Sequence, residues 1–198
     1  MKKSIIAVLA LSTITLVSWK TLGTNVAHDE AVFTLDATKT TLAWTGKYVS
    51  DGHTHIGTVN VTEGSIKYHA SQFESGSFNI DMKTIDVKDL PAEKKPMLLG
   101  HLQSADFFNV GENANVKVKI NSMTDKEINA TLTVLGKDIP AIMPVSFTKT
   151  KETLTATGKF DVDFAALGAN GFKAGEGKPA GQHTSSVISF DLNLVMKK

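Results

Sequence analysis

The sequence predicts an all-β, antiparallel fold interrupted by one short helical insert. Three observations carry this. Apolar and polar residues alternate with a period of two along most of the chain, the spacing of strands with one buried face. One stretch, from Lys88 to Ser104, breaks that period. A region at 163–185 has no period and five glycines.

The elements follow in order. Phe33 and Leu35 alternate with Thr34 and Asp36, and Leu42, Trp44 and Tyr48 share a face interrupted by Gly46. Ser50-Asp51-Gly52 is a turn signal, after which Val59 and Val61 alternate with Thr58, Asn60 and Thr62. Gly64 punctuates, and Ile66 and Tyr68 continue the pattern. Phe78, Ile80 and Met82 form the next strand. Beyond the insert come Val116, Val118 and Ile120; then Ile128, Ala130, Leu132 and Val134; then Ala141, Met143, Val145 and Phe147. Leu154 to Val162 and Ile188 to Leu194 complete the set.

Eight or more such strands make a sandwich or a barrel, and periodicity alone does not choose between them. Strands at 127–135 and 152–162 are long for a sandwich. Small residues on the apolar faces, Ala130, Ala141, Ala156 and Gly158, would leave an eight-stranded barrel partly empty.

The insert begins at Lys88-Asp89-Leu90-Pro91, with Asp89 read as a helix-capping residue. Pro96 cannot continue a helix, so the spacing predicts a turn and then a second short helix through Met97, Leu98, His101 and Leu102. Met97, Leu98 and Leu102 would form its inward face, with Lys94 and Lys95 outside. Phe107 and Phe108 are adjacent. On an alternating strand they would point to opposite sides, one into the core and one toward the insert or the cavity mouth.

Residues 1–27 read as a secretory signal: Lys2 and Lys3, then a mostly apolar run from Ile5 to Val17, too short to span a membrane. Cleavage after residue 23 or 27 leaves a single domain, 28–198, expected in the periplasm. It would carry 18 basic and 20 acidic residues, no arginine and no cysteine. That excludes a strong nucleic-acid binder, disulfide staples and thiolate chemistry.

Chemical motifs are sparse. Gly175-Glu176-Gly177-Lys178 fails as a phosphate loop because Pro179 stands where a Ser or Thr should bind magnesium. His53 and His55, with His101 or Asp51, could in principle supply three metal ligands. The competing reading places His53 in a turn and His55 at a strand entry. No G-x-S-x-G elbow is present, so no catalytic residue, metal or cofactor is expected.

The strings Gly76 to Ile85, Asp89-Leu90 and His101 to Phe108, with Trp44-Thr45-Gly46-Lys47 and His55-Ile56-Gly57, resemble the YceI-like family over roughly residues 31–160. That resemblance implies an eight-stranded antiparallel lipocalin-like barrel that binds polyisoprenoid-type lipids. One family signature, an Asp-Arg-Thr-like string, is altered here: Phe164 follows Asp163. The expected function is an exported protein holding a polyisoprenoid or isoprenoid quinone. The alternatives are a periplasmic protein-interaction module and a weak metal-dependent hydrolase. The candidate ligand-binding residues are Trp44, Phe78, Ile80, Met82, Leu98, His101, Leu102, Phe107, Phe108, Leu132, Phe147 and Phe160. Expected partners are an amphiphilic lipid or isoprenoid, a transient membrane surface and a second copy in a dimer. The glycine-rich loop at 168–183 competes with the helix as the ligand's entrance.

Overall fold

The structure is a computed structural model and describes residues 30–173 and 183–198. The segment 1–27 with both its cleavage sites, and residues 174–182 with the Gly175–Lys178 string, lie outside the described residues.

Ten strands form one antiparallel sheet: β1 Glu30–Leu35, β2 Thr41–Lys47, β3 Thr54–His69, β4 Gln72–Val87, β5 Asn115–Met123, β6 Glu127–Val134, β7 Lys137–Pro144, β8 Ser146–Lys149, β9 Thr153–Asp163 and β10 Val187–Lys197. They trace the staves of a closed barrel. β1 and β2 are two halves of one stave, since both pair with β3 and β10 on either side of the turn at 36–40. β7 and β8 form another, bent at Val145; β7 packs on β9, and β8 pairs with it. Counted this way the ten strands make the eight staves that the resemblance implies.

β3 and β4 are 16 residues each, longer than their alternation suggested. Register shifts at Thr58/Asn60 and Val61/Glu63 bulge the pair, and bulges let long strands coil around a barrel. At the end remote from the insert, the β3–β4 hairpin turns through Ala70 and Ser71, both with positive φ. That pairing of backbone conformations fits the right-handed twist of two-residue hairpins.

The small residues do not hollow the barrel. Ala130, Ala141 and Ala156 would be expected to line an empty space, yet all three are buried and none borders the cavity. Gly158 stands against the Pro144 carbonyl at the β7–β9 seam, so its missing side chain serves closure. Phe33, Ile66, Leu154 and Met196 fill the end remote from the insert, each nearly inaccessible. Lys149 Nζ lies 3.7 Å from the Tyr68 ring centroid, and a cation over an aromatic face is attracted to its quadrupole. Burial raises the Tyr68 pKa above the ordinary phenol value.

The insert is one helix, α1 Lys95–Gln103, with Pro96 in its first turn. Proline is favoured there because the first turn leaves its N–H groups unpaired anyway. Pro96 therefore starts the helix and does not divide it. Met97 is 79% exposed, so the inward face is Leu98, Leu99 and Leu102, all packed against the core. Lys95 is not free outside: its Nζ lies 3.8 Å from Asp86 Oδ1. Asp89 caps no helix. It accepts from Ile56 N–H at 3.2 Å and pairs with His55 Nδ1 at 2.9 Å, tying the start of the insert to β3.

Candidate ligand-binding site

The barrel encloses an apolar cavity of about 150 Å³, lined from Phe107 and Phe108 after α1 to Ile128 and Met143 at the far ends of β6 and β7. Its walls come from the inward positions of β2 to β7, β9 and β10, for example Val59, Val61, Val116, Val118, Ile120, Val162 and Leu192. Among the described residues no charged side chain borders it, and only Trp44 and Thr184 bring a side-chain nitrogen or oxygen to its lining.

Phenylalanines close the mouth. Phe107 and Phe108 are not on a strand; they lie in the turns after α1 and both reach the cavity, with ring centroids 6.5 Å apart. Turn backbone lacks the strict alternation of a strand, which is why adjacent residues can face the same space. Phe172 meets Phe107 edge-on at 5.1 Å, and Phe164 meets Phe108 edge-on at 6.0 Å. Phe164 also contacts Phe190, which stacks on Phe160 at 5.6 Å. Edge-to-face and offset contacts of this kind favour one arrangement of rings beyond the area they bury.

Phe164 and Phe172 come from the region expected to be unstructured loop. Residues 164–173 instead form two 3-10 turns, Ala165–Leu167 and Asn170–Phe172. Lys137 Nζ donates to the carbonyls of Ala166 and Leu167, at 3.0 and 2.8 Å, and so holds the first turn to β7. Gly171 N–H donates to the Asp106 carbonyl at 2.7 Å, joining the second turn to the segment after α1. Asp163, whose carboxylate accepts hydrogen bonds from Ser186 and from Ala165 N–H, is held below the ordinary aspartate pKa. It closes the turn where the family's altered signature would stand.

Of the twelve sequence candidates, Trp44, Phe78, Ile80, Met82, Leu102, Phe107, Phe108, Leu132 and Phe160 border the cavity. Leu98, His101 and Phe147 do not. Leu98 packs on the core one helical turn before Leu102. His101 is more than half exposed, with Nε2 3.7 Å from Asp106 Oδ2 and its ring edge-on to Phe107 from outside. Phe147 sits at the opposite end, in a groove with Tyr68, Phe73 and Lys149. Phe164, Phe172, Phe190 and Thr184 were missed. Two phenylalanines eight apart in a glycine-rich, non-periodic stretch are the signal that could have found the first two.

His53, His55 and His101 do not assemble a metal site. His53 and His55 stack edge-to-face at 4.6 Å, but His55 is engaged by Asp89, while His101 pairs with Asp106. No group of three metal-ligating side chains occurs among the described residues.

A closed antiparallel barrel with an apolar cavity under an aromatic lid defines a barrel-type binding protein. The chain belongs to the YceI-like family: the YceI-like domain model matches residues 33–196. The fold is similar to that of BcnA from Burkholderia cenocepacia, at 18% identity and a TM-score of 0.63, covering 81% of this chain and 98% of that one. The YceI protein of Campylobacter jejuni also matches, at 14% identity and a TM-score of 0.46, over 64% of this chain and 74% of that one. No curated protein matches the sequence.

Proposed function

We propose that this protein is an exported, non-enzymatic carrier that holds a long apolar chain, of polyisoprenoid or isoprenoid quinone type, inside its barrel. One observation carries the reading: among the described residues the cavity lining contains no titratable side chain, so it offers a chain of hydrocarbon a place out of water. An apolar void of roughly this size stays dry and accepts a benzene-sized guest. A longer chain is accommodated when the phenylalanine lid and the flexible Met82 and Met143 move aside.

Each buried methylene contributes about 0.8 kcal/mol, so ten would supply roughly 8 kcal/mol before the cost of ordering the chain is subtracted. Micromolar binding needs about 8.2 kcal/mol net, so it calls for a chain with more than ten buried methylenes and depends little on the headgroup. The basic n-region and short apolar run before residue 18 support export to the periplasm.

Native mass spectrometry of gently purified protein tests both parts. A co-purified lipid mass on a chain lacking its first 23 or 27 residues is the expected result. An intact Met1 in cytosolic fractions would overturn export. A protein complex or a bound metal without lipid would replace the carrier by an interaction module or a hydrolase.

A further inference from the structure

Two buried side-chain nitrogens lack a hydrogen-bond partner among the described residues: Trp44 Nε1 and His183 Nδ1. His183 does not border the cavity, but Trp44 does. Trp44 is only 8% exposed, and its indole lies against Gly57, where a Cβ would collide with both the ring and the Asp86 carbonyl. The bare backbone at Gly57 thus fixes the indole inside the barrel. A buried indole N–H ordinarily finds an acceptor, because leaving it unpaired forfeits its hydration without return.

The donor also has a definite position. Trp44 pairs with Gly57 and Phe190, and Gly57 pairs with Val87, the last residue of β4 before the insert. It therefore stands in the mouth half, beneath the lid formed by Phe164 and Phe190. A chain entering tail first would leave its leading end in the deeper part, among Val61, Ile120 and Ile128, and bring its trailing end to the indole. Among the described residues the lining holds no lysine or histidine, so a carboxylate or phosphate at that place would be a buried charge without a counter-ion from them.

We infer that Trp44 Nε1 is a specificity donor for the ligand: it selects chains whose trailing end carries a neutral acceptor oxygen, such as a ketone, quinone or ester carbonyl, over plain hydrocarbons and ionised lipids. This rests on the carrier reading above. Rejection of the plain hydrocarbon follows because its binding leaves the indole N–H buried and unpaired.

The test compares pentadecane with its methyl ketone on the full chain, by binding titration and by the indole N–H signals in nitrogen-edited NMR. The chain has two tryptophans, and Trp19→Phe assigns the Trp44 signal. The ketone should bind about tenfold more tightly than the alkane, the gain of one hydrogen bond to a donor otherwise unpaired. The Trp44 indole proton should move downfield with the ketone alone. Trp44→Phe should bring the two affinities to within about twofold of each other. Should that variant fail to fold, the indole shift in the parent protein decides. Equal affinities without an indole shift overturn this inference and leave the carrier reading standing. Uptake of neither probe overturns both.

Discussion

Gly171 faces the ring of Phe107 so closely that a Cβ at Gly171 would overlap the ring's edge atoms. Phe107 is buried, and Gly171 N–H donates to the carbonyl of Asp106, the residue before it. These contacts join the turn that follows α1 to the glycine-rich segment, so the two candidate entrances share one aromatic seal. Gly171→Ala should cost about 1–3 kcal/mol through overpacking. It should also speed release of a bound fluorescent polyene. Thermal unfolding and stopped-flow release check the two parts separately, and an unchanged release rate would mean that the seal does not control exchange.

Blocking the lumen requires a position that borders it. Val118 does, and it is only partly buried, whereas Ala130 and Ala156 are buried and do not border it. Val118→Phe should lower polyene affinity by about tenfold or more, by filling volume the ligand needs. Ala156→Phe should instead destabilise the fold by overpacking. Binding of the parent affinity by a folded Val118→Phe protein would place the ligand elsewhere.

Asp89 links the insert to β3, and its protonation should loosen that link. Burial pushes its pKa up, but hydrogen bonds from His55, from Ile56 N–H and from its own N–H outweigh this and hold it below the ordinary 3.8. A carboxylate with a lowered native pKa adds stability that is complete above 3.8 and is lost as pH falls through the native value. Melting temperature against pH should show this acid loss in the parent. Asp89→Asn should be less stable at neutral pH and should lack that component, and parallel curves would count against the link.

Charge at the insert bears on delivery to membranes. Lys94 is exposed, while Lys95 is engaged with Asp86. Lys94→Glu should slow transfer to anionic vesicles, since reversing one cation removes roughly 2 kcal/mol of attraction near such a surface. Transfer to neutral vesicles should stay the same. Equal slowing with both vesicle types would point to an altered helix, not to surface charge.

Much of the barrel was legible in the chain because a period of two is a local property. Phe78, Ile80 and Met82, or Ile128 to Val134, reveal their buried face wherever the strand ends up. The same holds for most cavity residues, which are inward positions of strands. The insert was read less well. Pro96 is compatible with a helix break and with a helix start, and the difference depends on what precedes it in space. Likewise an aspartate before a helix is an ordinary cap, yet Asp89 found His55, 34 residues away in sequence.

By itself the sequence determined the alternation, hence an antiparallel sheet with one apolar face, and the family motifs that close it into a barrel. Tertiary structure alone decided where that barrel is empty and how its mouth is sealed. Inward residues that border the cavity and those that do not are chemically alike, and whether they meet or leave a void depends on stave curvature, on the β7–β9 seam at Gly158 and on rings arriving from elsewhere. Phe164 and Phe172 carry no periodic signal because their role is set by Phe107 and Phe108, more than 50 residues earlier in the chain. Packing between segments distant in sequence is specified by shape and by burial, and neither is written in the spacing of a single segment.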